Sequence, residues 1–256
     1  MRTHVLHLGE GLDVDGRPRR ISEAGPAYSS LLRWRHMETN EPLESGTGAT
    51  IGGRAMCFGG LAVRDVLDTT QWFDAGVGAW FEGPPMPAAD RRPMVAEHGG
   101  TALALLDGAV RRYDPRAQAW ITLAPLQAAA EGHPAVAVVR DRLLVIGGGE
   151  FETAAVRCFD VRAGRWEEEG AAGAPPPLPE PQNGLKAIAV GAEVWCFGGR
   201  DPHDLDDAAA FRREVVQSVD IYDAAVNAWR RAPLPRGWWF NSASYGRRVV
   251  AIPKIL

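Results

Sequence analysis

The chain has 256 residues, 46% of them hydrophobic, so it can bury a sizeable core; its net charge of -4 comes from acids and bases interspersed along the sequence. That pattern excludes the basic patch of a nucleic-acid footprint and the polybasic run that draws a protein to an anionic membrane. No segment reaches the length of an apolar transmembrane span, and the stretch from Met1 to Gly9 is too short and too polar for a signal peptide, so a cytoplasmic or nuclear protein is expected, not a secreted one.

Residues 1–47 read as a degenerate version of a unit that recurs in regular form from residue 48 onward. Val5-Leu6-His7-Leu8-Gly9 resembles a worn strand, and Trp34 closes a unit that has Tyr28 where later units have an aspartate. Four regular units come next. In 48–80 the apolar run Ala55-Met56-Cys57-Phe58 ends in Gly59-Gly60, and Phe73-Asp74 precedes Trp80. In 93–120 the run at 101–106 ends in Asp107-Gly108, and Tyr113-Asp114 precedes Trp120. In 134–166 Leu143-Leu144-Val145-Ile146 ends in Gly147-Gly148, and Phe159-Asp160 precedes Trp166. In 185–229 Val194-Trp195-Cys196-Phe197 ends in Gly198-Gly199, and Tyr222-Asp223 precedes Trp229. Each tryptophan lies 6 residues after its aspartate, whereas successive aspartates are 40, 46 and 63 residues apart, so the variable length must sit in loops. Residues 233–256 supply two more strand-like runs, at 239–245 and 249–252.

The recurring residues suit packing and turn roles. A tryptophan buried between neighbouring sheets contributes roughly 2–4 kcal/mol by apolar transfer. Paired glycines permit a tight strand exit and close approach of a neighbouring backbone. Each aspartate is expected to accept hydrogen bonds in the turn after it, and Asp107-Gly108 predicts a two-residue hairpin in a unit that lacks its neighbours' long loop.

An apolar run ending in Gly-Gly, then an aromatic-Asp pair, then Trp at fixed spacing, then a proline-containing connection, resembles the kelch motif, and the resemblance covers nearly the whole chain. It implies an all-β fold, a β-propeller of four-stranded blades, with strands a to d counted outward from the axis. The unit count fits five blades or an incomplete six in one domain spanning 1–256, the ring closed by strands from both ends because an open ring exposes strand edges. Kelch resemblance also implies a protein partner, docked on the face that carries the d–a and b–c loops. On this chain that face selects Arg64, Arg91, Arg92, His133, Arg200 at the head of an insertion reaching to about residue 215, and Arg236 with Trp238 and Trp239. Adjacent tryptophans on a strand face opposite sides, which leaves one of the last pair as a candidate anchor.

No reactive constellation stands out. The six histidines have no metal-ligand spacing, the three cysteines read as small buried hydrophobes, and the cluster Asp201, His203, Asp204, Asp206 and Asp207 reads as a solvated loop ahead of a short helix at 208–214. No metal, cofactor or catalytic residue is therefore assigned. The proline-rich stretch 171–181 is open to two readings, a polyproline ligand or a stiff connection between units, of which the second fits its position better. The rival to a binding module is an enzyme on a small carbohydrate or metabolite, with Arg91 or Arg92 clamping an anion and Glu97, Glu131 or His133 as acid or base.

Overall fold

The structure, a computed structural model, describes residues 46–62, 64–74, 76–126, 134–149, 153–200 and 218–233. Within them the chain is all β. The first sheet holds β1 (Thr47–Ile51), β2 (Arg54–Ala62), β3 (Asp65–Asp74) and β4 (Ala79–Glu82), and the second holds β5 (Met94–His98), β6 (Thr101–Leu106), β7 (Ala109–Asp114) and β8 (Ala119–Pro125). The third holds β9 (Ala135–Val139), β10 (Arg142–Ile146), β11 (Val156–Asp160) and β12 (Arg165–Trp166), and the fourth holds β13 (Asn183–Val190), β14 (Glu193–Arg200), β15 (Ser218–Asp223) and β16 (Ala228–Pro233). Every sheet is a four-stranded antiparallel meander in chain order, and the first strands β1, β5, β9 and β13 lie against one another in succession. These are the blades of a β-propeller with the a strands innermost.

Residue alternation explains the stacking. Successive side chains on a strand point to opposite faces, so a strand packed on both sides must be apolar throughout. On β6, Ala102, Ala104 and Leu106 join Ile51, Met56 and Phe58 of the first blade, while Leu103 and Leu105 join Leu143 and Val145 of the third. On β10 the pattern repeats: Leu143 and Val145 face backward, and Leu144 and Ile146 face Leu185, Val194 and Cys196 of the fourth blade. Cores thus lie between blades, and each buried Leu or Ile contributes about 1.5–3 kcal/mol.

The aspartates close the c–d turns. Oδ1 of Asp114 accepts from the amides of Arg116 and Ala117 at 2.8 and 3.3 Å, and Oδ1 of Asp160 accepts from Arg162 and Ala163 at 2.9 and 2.8 Å. Asp74 does the same toward Gly76 and Val77, and Asp223 toward Ala225. Four residues after each aspartate the backbone turns left-handed, at Gly78, Gln118, Gly164 and Asn227. Asp107-Gly108 forms a two-residue hairpin with φ of 49° and 65°, the doubly positive geometry that matches strand twist.

Two expectations change. Trp80 is buried, at 7% exposure, but Trp120, Trp166 and Trp229 are only half-buried, because d is the outermost strand and each indole caps the outer edge of an interface instead of filling its middle. The contacts still cross blades: Trp120 lies edge-on to Phe58 at 6.1 Å, and the Nε1 of Trp166 and Trp229 donate to the carbonyls of Pro125 and Pro176 at 2.9 and 2.8 Å. The b strand also does not stop at Gly59-Gly60 in the first blade. β2 runs on to Ala62 through a register shift between Phe58 and Gly60, since the amide of Gly60 turns away to the Asp90 carbonyl at 2.9 Å. Gly198 and Gly199 likewise lie inside β14.

Candidate interaction face

The d–a linkers and b–c connections meet at one end of the blades, and the linkers are fastened there. After β4 the chain runs along β3: the amides of Gly83, Met86 and Asp90 donate to the carbonyls of Thr70, Asp68 and Leu67 at 2.7, 2.6 and 3.0 Å. Gly60 adds its bond to Asp90, and the Asp90 carboxylate caps the Arg92 amide at 2.8 Å. Met86, at 3% exposure, plugs the core between the first two blades. A Cβ on Gly59 would overlap the Asp90 carbonyl oxygen, and one on Gly147 would sit 2.6 Å from the Gln182 carbonyl oxygen, so paired glycines let the next linker pass directly over the blade.

The linker at 167–182 is held in the same way. Leu178 is buried in the core between the third and fourth blades, its amide bonded to Ala154 at 2.8 Å, and Gln182 bridges Thr153. Asn227 and Trp229 donate to the Ala174 and Pro176 carbonyls at 3.0 and 2.8 Å. The proline-rich stretch is therefore a stiff connection stitched to the fourth blade. Beneath it lies a buried carboxylate: Asp220, at 2% exposure, accepts from Arg231 at 2.8 and 3.1 Å and from Gln182 Nε2 at 2.8 Å, and Arg231 also reaches Glu180 at 2.8 Å. These hydrogen bonds, the one to Asp220 foremost, push the Arg231 pKa up and keep it charged. Next to Asp220 on the neighbouring strand, Cys196 is driven well above the thiol range by burial and then by the Asp220 charge. Burial likewise pushes Cys57 to about 11 and Cys158 to about 12, so all three cysteines are inert hydrophobes.

Comparison with known proteins bears on this architecture. No family model matches the chain. Kelch-like protein terF of Aspergillus terreus is 26% identical over 255 residues, which cover 88% of this chain and 52% of terF. Kelch-like protein 35 of Mus musculus is 28% identical over 170 residues, 62% of this chain and 26% of that protein. Kelch-like protein 34 of Homo sapiens is 36% identical over 108 residues, 40% of this chain and 16% of that protein. The repeats of this chain are similar to those of kelch-like proteins. The chain spans about half the length of the first of these kelch relatives and a smaller share of the other two.

The blades distribute the selected residues unevenly. Arg64 sits at the tip of the β2–β3 hairpin, whose pairing extends to Ala62 and Asp65, and is exposed. Arg91 is exposed and Arg92 half-buried at the end of the linker laced to that same hairpin, so the three arginines belong to one hydrogen-bonded unit. Arg200 ends β14, paired in register with Asn183. Glu131, His133, Arg236, Trp238 and Trp239 lie outside the described residues, as do the acidic cluster at 201–207, the expected helix at 208–214 and both chain ends. Glu97 does not join Arg91 and Arg92: it lies near the far end of β5, and its carboxylate accepts from the Gly100 amide at 2.7 Å in the a–b turn on the opposite face. Among the described residues no three His, Cys, Asp or Glu cluster to hold a metal, and no helix is long and apolar enough to cross a membrane.

Sequence reasoning missed Lys186. It stands on innermost strand β13, on the face opposite Leu185 and Ala187, which pack toward the third blade. The residue is solvent-exposed, yet partial desolvation of its ammonium, with the Arg92 charge second, holds it below the usual lysine range. The available signal was a lone cation in the apolar run Leu185-Lys186-Ala187-Ile188-Ala189-Val190.

Proposed function

We propose that this chain is a non-enzymatic protein-interaction module that binds its partner through the d–a and b–c loop face. The observation that carries the reading is the fastening of the linker at 83–93: four backbone hydrogen bonds and a buried methionine hold Arg64, Arg91 and Arg92 on a rigid platform. Loops held by a stiff scaffold present side chains without the ordering cost that a mobile loop incurs on binding. Arginine is also over-represented among the residues that dominate interface energies. The kelch-like relatives agree with an interaction role in general. His133, Arg200, Arg236, Trp238 and Trp239 extend the same face in this proposal, with the two tryptophans as anchors. Placement of Glu97 at the opposite end of β5 removes the acid–base pairing that an enzyme using Arg91 or Arg92 with that carboxylate would need.

The test is quantitative affinity capture from the source organism with the parent, an Arg64→Glu/Arg91→Glu variant and a Trp238→Ala/Trp239→Ala variant, each first shown to keep its far-ultraviolet spectrum and melting temperature. Loss of a parent-bound protein with both variants supports the face. Full retention with both, while Arg116→Glu on the opposite face abolishes capture, would move the site.

A further inference from the structure

The opposite face carries a cleft of about 500 Å³ between the first two blades, lined by the glycine turns at Gly52 and at Gly99 and Gly100, by Arg54, and by the c–d turn that includes Asp114 and Arg116. Among the described residues neither arginine forms an ion pair. Arg54 lies over the Trp72 ring at 4.5 Å, and Trp72 stacks on Phe81 at 4.8 Å, so a cation–π contact positions the guanidinium while its charge has no acidic partner. The third blade has the same two arginines with their acids in place. Arg142, the equivalent of Arg54, pairs with Glu167 at 2.9 Å, and Arg162, the equivalent of Arg116, pairs with Asp141 at 2.7 Å. By register, Phe81 stands where Glu167 stands and Gly100 where Asp141 stands. The acids nearby do not replace them. Asp114 Oδ1 accepts from the Arg116 and Ala117 amides, as Asp160 does beside the Asp141–Arg162 pair, and Glu97 turns to the Gly100 amide at 2.7 Å.

We infer that this cleft binds a small organic dicarboxylate, with one carboxylate at Arg54 and the other at Arg116, in the places that Glu167 and Asp141 hold in the third blade. The planar fork of each guanidinium suits a carboxylate, the volume is that of a small-molecule site, and Ile51 and Pro115 give the linking carbons an apolar wall. Bound there, the ligand joins the first and second blades as Asp141, between His98 and Arg162, joins the second and third. The site is independent of the interaction face at the other end of the blades.

The experiment is isothermal titration calorimetry on the full chain at low salt, with glutarate as the probe and butyrate and inorganic phosphate for comparison. The parent is compared with Arg54→Gln, Arg116→Gln, Gly100→Ala and Gly100→Asp, each first shown to melt cooperatively. A Cβ at Gly100 meets only the Gly52 Cα, at 3.9 Å, and Asp141 adopts the same left-handed backbone, so both replacements fit. Glutarate should bind at least about tenfold more tightly than butyrate or phosphate, and lose at least about tenfold in either arginine variant. It should be retained in Gly100→Ala and lost in Gly100→Asp, whose carboxylate takes Arg116 as Asp141 takes Arg162. No binding of glutarate to the parent, equal affinity for butyrate or phosphate, unchanged affinity in either arginine variant, or equal loss in the two Gly100 variants would overturn the inference.

Discussion

Replacing Gly59 by alanine separates two things a glycine can do, because a second glycine in the same blade supplies the control. At Gly59 φ is +54°, and the added Cβ would overlap the Asp90 carbonyl oxygen, approach Met86 Cε to 2.9 Å and approach Pro93 Cγ to 3.0 Å. Left-handed backbone at a residue with a side chain costs about 1–2 kcal/mol. Backbone at Asp90 cannot move aside without breaking the Gly60 to Asp90 bond, worth about 1 kcal/mol, and drawing the Met86 plug part-way out of its core, worth about 1–2 kcal/mol. The expected loss is about 3–5 kcal/mol. At Gly78 φ is +75° and a Cβ meets nothing within 4 Å. Gln118 and Asn227 occupy the equivalent turn position, at φ of 52° and 53°, so Gly78→Ala should lose only about 1 kcal/mol. Urea denaturation of both variants, with m-values equal to the parent's, measures the difference. Equal losses in the two variants would refute the claim that the paired glycine exists to let the linker pass.

The same contacts set further outcomes. Gln118→Gly should stabilise by about 0.5–1 kcal/mol in the same assay by relieving left-handed backbone, since the Asp114 cap is untouched. Leu178→Ala should cost about 3 kcal/mol, because the side chain is almost fully buried and its linker is pinned on both sides, so the gap cannot collapse. Arg231→Met should cost about 3 kcal/mol in equilibrium unfolding by stranding the buried Asp220 carboxylate, and Asp220→Asn in the same background should recover part of it. Asp141 bridges the second and third blades through His98 at 2.7 Å and Arg162 at 2.7 Å, and the His98 hydrogen bond, then the Arg162 charge, hold its carboxyl below the usual range. A depressed folded-state pKa contributes stability above the ordinary aspartate pKa that is lost as pH falls through the folded value. Asp141→Asn should therefore lower the melting temperature at neutral pH and converge with the parent in acid; a constant gap would deny the linkage.

What the sequence made legible is what depends on local chain geometry. The c–d turn is closed within five residues, so its aspartate and the spacing to tryptophan stand out, and Asp107-Gly108 announces its hairpin for the same reason. The continuous apolar run at 101–106 marked a strand, and the structure shows it packed on both faces. The linker plugs were less visible. Each is an apolar residue straight after a proline, but Met86 lies 6 residues beyond its tryptophan and Leu178 lies 12, so no fixed spacing betrays them. Asp220 and Arg231 are paired only once the register between β15 and β16 is known. Half-burial of Trp120, Trp166 and Trp229 was misjudged because residue type gives packing preference, whereas exposure is set by position on the outermost strand.

The most direct test of the interaction face is amide hydrogen exchange on the full chain with and without its captured partner. Binding should slow exchange in the β2–β3 hairpin tip around Arg64 and in the linker at 83–93, leaving the turns at 52–53, 99–100 and 115–118 unchanged. Protection confined to those turns, on the opposite face, would contradict the account.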